Sequence, residues 1–180
     1  MTTSRHPRPA PEVLERWRTP AGADLLIRPV GADDAAREVR FLESLSPQTR
    51  YERVFSHRGL LQPGELRQLV RFDIRREIAL LAAAGDRPDE EIVAVARLKK
   101  SADGGQYEFA LVVGDAWQRQ GIGGRLLRRL LAVARLAGIG RVSGVTLATN
   151  TSMKALCRKV GFRLRPDPDD ATVTLLDIDL

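Results

Sequence analysis

The order of apolar patterns along the chain predicts an α/β domain. Three observations carry that class. Strand-like and helix-like periods alternate over most of the 180 residues. Two apolar runs on either side of the turn-rich Gly85-Asp86-Arg87-Pro88-Asp89 read as a hairpin. At Leu111–Leu131, LVVGDAWQRQGIGGRLLRRLL, an apolar strand passes through a glycine turn into an amphipathic helix. The length suits one domain with a substantial core.

The elements follow in order. Residues 1–22, with Pro, Arg and Thr frequent and no apolar periodicity, are expected to form a flexible tail, leaving 23–180 as the domain. Asp24–Val30 reads as a short strand. Ala35, Val39, Leu42 and Leu45 recur at helical spacing, giving a helix over Ala32–Leu45 that Asp33 can begin. Ser46–Phe55 is a second short helix, with Pro47 at an early position where its missing N–H does no harm, and Pro63–Phe72 is a third. Glu77–Ala84 and Glu91–Lys99 are the hairpin strands. In Gly105–Val113, Tyr107, Phe109, Leu111 and Val113 fall on one face and Glu108, Ala110 and Val112 on the other. Beyond Glu108 both faces are apolar, so this strand is expected to be central.

A helix then runs from Gly121 to near Gly138, and Arg141–Ala148 is a further strand. Asn150, Thr151 or Ser152 caps a helix that reaches Val160 and closes at Gly161. Phe162–Arg165 and Thr172–Leu180 complete the set as strands around Pro166-Asp167-Pro168-Asp169-Asp170.

Composition narrows the function. The lone Cys157 excludes an internal disulfide, and without a cysteine cluster no structural metal is expected. No apolar run reaches membrane-spanning length and the start lacks a signal-peptide core, so a cytoplasmic protein without membrane contact is expected. The net charge of +6 is unevenly placed. From Ala116 to Pro166 every charged side chain is Arg or Lys, among them Arg119, Arg125, Arg128, Arg129, Arg135 and Arg141, then Lys154, Arg158, Lys159, Arg163 and Arg165. Such a block attracts polyanions. Nucleic acid is disfavoured, because no helix-turn-helix spacing, zinc ligand set or stacking-aromatic motif accompanies the charge.

Within that block lies the glycine turn. Gly121, Gly123 and Gly124 have no Cβ, so the backbone can take left-handed angles and approach a ligand, with unpaired N–H groups at the helix start. Those donors and the positive end of the helix dipole suit a pyrophosphate. A dinucleotide fold asks for G-x-G-x-x-G, but Leu126 stands at the last position. A nucleotide triphosphatase asks for Gly-Lys-Ser/Thr, which is missing.

The remaining pattern, Gln118-Arg119-Gln120-Gly121-Ile122-Gly123, resembles the Q/R-x-x-G-x-G/A signature of the GNAT family of N-acetyltransferases. A second, independent match is Asn150 followed by Ala155-Leu156-Cys157-Arg158-Lys159-Val160-Gly161-Phe162, similar to the family's A-L-Y-x-K-x-G-F helix ending. The resemblance covers about Leu25 to Leu180. It implies a GNAT fold: a mixed, mostly antiparallel sheet of about six to seven strands, helices on both faces, and strands four and five splayed around the acyl thioester. It further implies acetyl-CoA as cosubstrate, with the backbone of Leu111, Val112 and Val113 pairing with its pantetheine arm. The amides of Gln118, Arg119, Gln120, Gly121, Ile122, Gly123, Gly124 and Arg125 would hold the pyrophosphate, and Asn150 would contact the cofactor near the splay.

The chemistry needs an amine stripped of its proton to attack a thioester, and a base poised near working pH serves best. Glu108 is the candidate. A carboxylate in an otherwise apolar strand has its charged form disfavoured, and many family members carry a catalytic glutamate at this place on the strand. Backbone N–H groups of the same strand would polarise the carbonyl. Where the family often has a tyrosine as general acid, this chain has Cys157, whose place on an apolar helix face assigns it to packing.

For the acceptor, Leu45-Ser46-Pro47-Gln48-Thr49-Arg50-Tyr51-Glu52-Arg53-Val54-Phe55-Ser56 resembles the L-S-P-x-S-R-Y-x-R-F-F-S segment of bacterial protein lysine acetyltransferases, some of which act on acyl-CoA synthetases. Glu108–Val113 is similar to their E-F-A-V-V-V. Arg50, Tyr51 and Arg53 are therefore candidate acceptor-binding residues, and a protein lysine the expected acceptor of a monomer or homodimer. A small-molecule amine acetyltransferase and a non-catalytic acetyl-CoA-binding module are the alternatives.

Overall fold

The computed structural model describes residues 15–55, 77–86, 89–101 and 106–180, with backbone alone at 54 and 55. The helix expected over Pro63–Phe72 lies outside the described residues. The expected hairpin is present: β3 (Glu77–Ala84) and β4 (Glu91–Lys100) pair antiparallel, with Leu81 opposite Val95. Every residue of β4 from Ile92 to Leu98 is buried, because helices cover both of its faces.

Around the hairpin the sheet is larger than the sequence suggested. Eight strands run in the order β1-β2-β3-β4-β5-β6-β8-β7. They are β1 (Glu15–Arg18), β2 (Asp24–Pro29), β5 (Tyr107–Val113), β6 (Arg141–Leu147), β7 (Arg163–Pro166) and β8 (Val173–Asp179), besides the hairpin. All neighbours are antiparallel except β5 and β6. The expected count of six to seven strands fails at the N-terminus. Residues 15–18, read as tail, form an edge strand opposite Asp24–Ile27. The four residues Glu-Arg-Trp-Arg carry too short an alternation to register as a strand, and the sheet edge supplies the missing hydrogen bonds.

Four helices are seen among the described residues: α1 (Ala35–Ser44), α2 (Pro47–Phe55), α3 (Ile122–Leu136) and α4 (Thr151–Val160). One face of the sheet packs Leu80, Val93 and Leu111 against Leu126, Leu127 and Leu130 of α3. The other packs Leu81, Val95 and Val112 against Phe41 and Leu42 of α1. Strand alternation thus feeds two cores, as expected for a central sheet. A buried ion cluster fixes the start of α1. Arg28 of β2 grips Asp34 with two bonds, at 2.6 and 2.7 Å, and also binds Glu90.

Asn150, of the three capping candidates, is the residue that starts α4, its Oδ1 accepting from Met153 N–H at 2.9 Å. Ser46 starts α2 in the same way, accepting from Thr49 N–H at 3.2 Å, with Pro47 the first helical residue as expected.

Candidate active site

β5 and β6 are paired only at Tyr107 with Val142 and Glu108 with Ser143. From Phe109 onward they part, and packing explains why. A Cβ on Gly144 would lie 2.5 Å from Phe109 Cε1, so the ring rests directly on the bare backbone of β6 where a third pair would form. Phe162 backs it, with ring centroids 4.9 Å apart. The expected splay is therefore real, and it falls between the fifth and sixth strands because the edge strand β1 precedes the others.

The parting opens a cavity of about 490 Å³. Phe109–Val113 and Val145–Thr146 form its walls, the turn before α3 closes one end, and Thr49, Glu52 and Arg53 of α2 and Asn150, Ser152 and Met153 at the start of α4 complete it. Of the residues expected to bind the cofactor, Leu111, Val112, Val113, Gln118, Arg119, Gly121, Gly123, Gly124 and Asn150 all line it. Gln120, Ile122 and Arg125 do not. Gln120 Nε2 donates to Ala116 O at 3.1 Å, and Ile122 is buried in the core. Arg125 is drawn outward to Glu15 of β1, its Nε 2.7 Å from Oε1 and its guanidinium 5.3 Å above the Trp17 ring.

The glycine turn has the form an anion requires. Gly121 caps α3 at φ +84°, a left-handed conformation that strains any side-chain-bearing residue. The helix ladder opens with Arg125 N–H donating to Gly121 O at 3.1 Å, so the N–H groups of Ile122, Gly123 and Gly124 precede it and no side chain caps them. Gly123 also answers a packing need. A Cβ there would sit 3.0 Å from Leu156 Cδ1 and 3.4 Å from Val113 Cγ2, so its bareness lets α3 close on α4 and β5.

Most of the basic block divides in two. Arg141 and Arg165 bind Asp177 and Arg163 binds Asp179, on the far strands, while Arg125 and Arg129 share Glu15. Arg119, Arg128 and Lys159 instead line the cavity beside the glycine turn. The polyanion attraction read from the whole block thus concentrates on three cations at one end of the cleft.

Glu108 departs from expectation. It holds the last paired position before the splay, opposite Lys99 and Ser143, but its side chain is exposed rather than enclosed by apolar groups, and the cavity wall begins at Phe109. The strand is apolar on both faces only from Phe109 on, so the carboxylate sits at the solvent end. Of the acceptor candidates, Arg53 lines the cavity, whereas Arg50 donates to Glu43 O and Leu45 O and Tyr51 is 47% exposed. Burial pushes the Arg53 guanidinium down to about 10, with Arg97 lowering it further and Glu38 and Glu77 opposing. Cys157 packs in the core at 0% exposure, and burial pushes its thiol up to about 12, which agrees with the packing role.

Two residues the sequence reading passed over organise the α2 side. Glu52 faces the cavity together with Thr49 and Arg53, a spacing of three and four that places them on one helix face. Asp115 anchors the same helix, accepting from Ser46 N–H at 2.9 Å, Ser46 Oγ at 2.7 Å and Thr49 Oγ1 at 2.6 Å; these bonds hold its carboxyl below the usual carboxylate range. Gln118 joins the anchor, donating to Thr49 Oγ1 at 3.3 Å and Val113 O at 3.2 Å. The i, i+3, i+4 pattern Thr49-Glu52-Arg53 was a legible signal for this polar face.

These parts fit acetyl-CoA. The inner edge of β5 offers unpaired backbone, the glycine turn offers amides, and three cations stand beside it. Among the described residues no helix is long and apolar enough to cross a membrane, and no group of three or more His, Cys, Asp and Glu side chains is placed to hold a metal. The model of the Acetyltransferase (GNAT) family matches residues 42–162. The Pseudomonas aeruginosa protein Acetyltransferase PA5475 is 34% identical over 151 residues, covering 84% of this chain and 81% of its own length. The GNAT domain of S. lividans PAT superposes with a TM-score of 0.78 at 27% identity, covering 93% of this chain and 97% of that one. Mycobacterium smegmatis RimJ, solved in complex with CoA-disulfide, shares the fold with a TM-score of 0.63 at 20% identity over 92% of this chain and 86% of that one. The cleft, the glycine turn and these likenesses agree: the chain belongs to the GNAT family and is an acetyl-CoA-dependent N-acetyltransferase.

Proposed function

We propose that the enzyme acetylates the side-chain amine of a protein lysine, with acyl-CoA synthetases as the target class and Glu108 as the general base. The observation that carries this reading is the position of α2. The segment that resembles the protein lysine acetyltransferases turns its Thr49-Glu52-Arg53 face into the cavity, opposite the β5 wall. On this reading the enzyme works in the bacterial cytoplasm, as a monomer or homodimer.

Bound acetyl-CoA supplies an activated acyl carbonyl and a thiolate leaving group. The glycine-turn amides with Arg119, Arg128 and Lys159 hold the phosphates, and the inner edge of β5 aligns the arm. The amine nitrogen then bonds to the acyl carbon, the carbon–sulfur bond breaks, and the proton lost from nitrogen passes to Glu108, directly or through one water. Backbone N–H groups on β5 stabilise the charge that grows on the carbonyl oxygen. From its solvent end of the strand, Glu108 passes the proton on to bulk water.

The test is thiol release from acetyl-CoA with lysine peptides and acyl-CoA synthetases as acceptors. Glu108→Gln is expected to lower kcat by about 10²- to 10⁴-fold with little change in acetyl-CoA affinity, and raised pH to restore part of it. Near-normal turnover by that variant at neutral pH assigns the base elsewhere. Turnover on small amines alone replaces the lysine reading.

A further inference from the structure

The cavity is electrically polar. Arg119, Arg128 and Lys159 belong to the end where α3 and α4 meet. On the α2 side stands Glu52, and among the described residues that line the cavity it is the one carboxylate. Its oxygens are held by neutral amides: Oε1 accepts from Gln48 Nε2 at 2.7 Å, and Oε2 from Asn150 Nδ2 at 2.9 Å. Such donors orient a carboxylate without cancelling its charge. Asn150 is itself fixed, because its Oδ1 caps α4 and turning the amide over would lose that bond.

The neighbouring Arg53 is drawn to carboxylates behind the cavity wall. Among the charges that act on it are those of Arg97, Glu38 and Glu77, and Arg97 grips Glu38 at 2.8 and 2.6 Å and Glu77 at 3.3 Å. Glu77 also takes Lys99, whose Nζ lies 3.6 Å from its Oε1, so these carboxylates serve the cations gathered around them. Glu52, held by two amides and lining the cavity, presents its carboxylate to the cleft.

We propose that Glu52 receives the ammonium end of the acceptor and sets the preference for a cationic amine over a neutral one. The inference rests on reading the cavity as an amine site, and it assigns a residue that the base assignment leaves open. An ammonium carries three donors and no acceptor, which matches an oriented carboxylate with spare lone pairs. The cations at the other end repel it, so the same field that draws the phosphates to α3 steers the amine to α2. Holding the charged amine is then the work of Glu52, while Glu108 takes one proton before the attack and a second as the amide forms, passing each on to bulk water.

The experiment titrates the coenzyme A-bound enzyme with Nα-acetyl-lysine N-methylamide and with its neutral norleucine analogue, following the side-chain amide resonances of Gln48 and Asn150 by NMR. The lysine compound is expected to shift both and the norleucine compound neither. Glu52→Gln keeps an acceptor oxygen for Asn150 but removes the charge. It is expected to bind the lysine compound at least tenfold more weakly, with coenzyme A affinity within twofold of wild type, and in turnover to raise KM for a lysine peptide more than it lowers kcat. Absence of any response at Asn150 in the wild type, or equal lysine affinity in the two proteins, overturns the proposal. Lysine that binds through Glu52 without being acetylated sinks the lysine-acetylation reading and leaves this one standing; acetylation unaffected by Glu52→Gln does the reverse.

Discussion

The carboxylate of Asp115 accepts the Thr49 hydroxyl at 2.6 Å across 66 residues of sequence, tying α2 to the loop that leads into the glycine turn. Because Gln118 of the turn donates to the same hydroxyl, the two ends of the cleft share one hydrogen-bonded junction. The depressed pKa of Asp115 reports how much the ionised form matters to that junction. The stabilisation is fully present at and above the ordinary carboxylate range and is lost as pH falls through the depressed value. Amide exchange in α2 is therefore expected to accelerate at acid pH before exchange in β4 does. Asp115→Asn should remove this acid dependence and weaken the fold by about 1 kcal/mol, read as a lowered denaturation midpoint. An unchanged α2 exchange profile in the variant would show that the junction is idle.

Substitutions in the glycine turn should separate by mechanism. Gly121→Ala places a Cβ on a left-handed residue, at a strain of about 1 to 2 kcal/mol, while nothing but Trp17 lies near. Calorimetry should show weaker coenzyme A binding with the fold retained. Gly123→Val instead meets Leu156 and Val113, so it should lower the melting temperature as well, by overpacking of about 1 to 3 kcal/mol.

The basic residues should sort by where their counter-charges lie. Arg128→Ala and Lys159→Ala are each expected to weaken coenzyme A binding about fivefold, an effect that added salt reduces. Arg141→Ala and Arg163→Ala, bound to Asp177 and Asp179, should leave binding unchanged. Equal losses in all four would restore the undivided basic surface.

Cys157, with its thiol pushed up to about 12 by burial, should resist iodoacetamide in the native protein through pH 9 and react once the chain unfolds. Cys157→Ala should keep kcat within about twofold, since the side chain is enclosed by the core rather than exposed to the cleft. A fall of a hundredfold would make the thiol the proton donor to the departing coenzyme A.

Most of the fold was legible because its signals are local. The hairpin announces itself by two apolar runs and a turn, and α3 and α4 by glycine and Asn150 at their ends. The edge strand at Glu15–Arg18 was not legible, since four alternating residues mean nothing until a neighbour exists to pair with them. The site shows the same division. The phosphate turn is a contiguous pattern, whereas the Glu52–Asn150 bond joins residues 98 apart, which no window along the chain brings together. The exposure of Glu108 was hidden for a related reason: alternation predicts its face of the strand but not how far the enclosed part of that strand extends.

Because β5 and β6 share only two registered pairs before Phe109 forces them apart, the molecule carries two raw strand margins inside itself. On a protein's outside, such margins invite another chain to add on and begin aggregation. Here α2 and the start of α4 border them, so the margins line an inner cleft rather than an outer edge. On the proposed reading, in which the pantetheine arm pairs with β5, the cosubstrate would also be a temporary repair of the sheet.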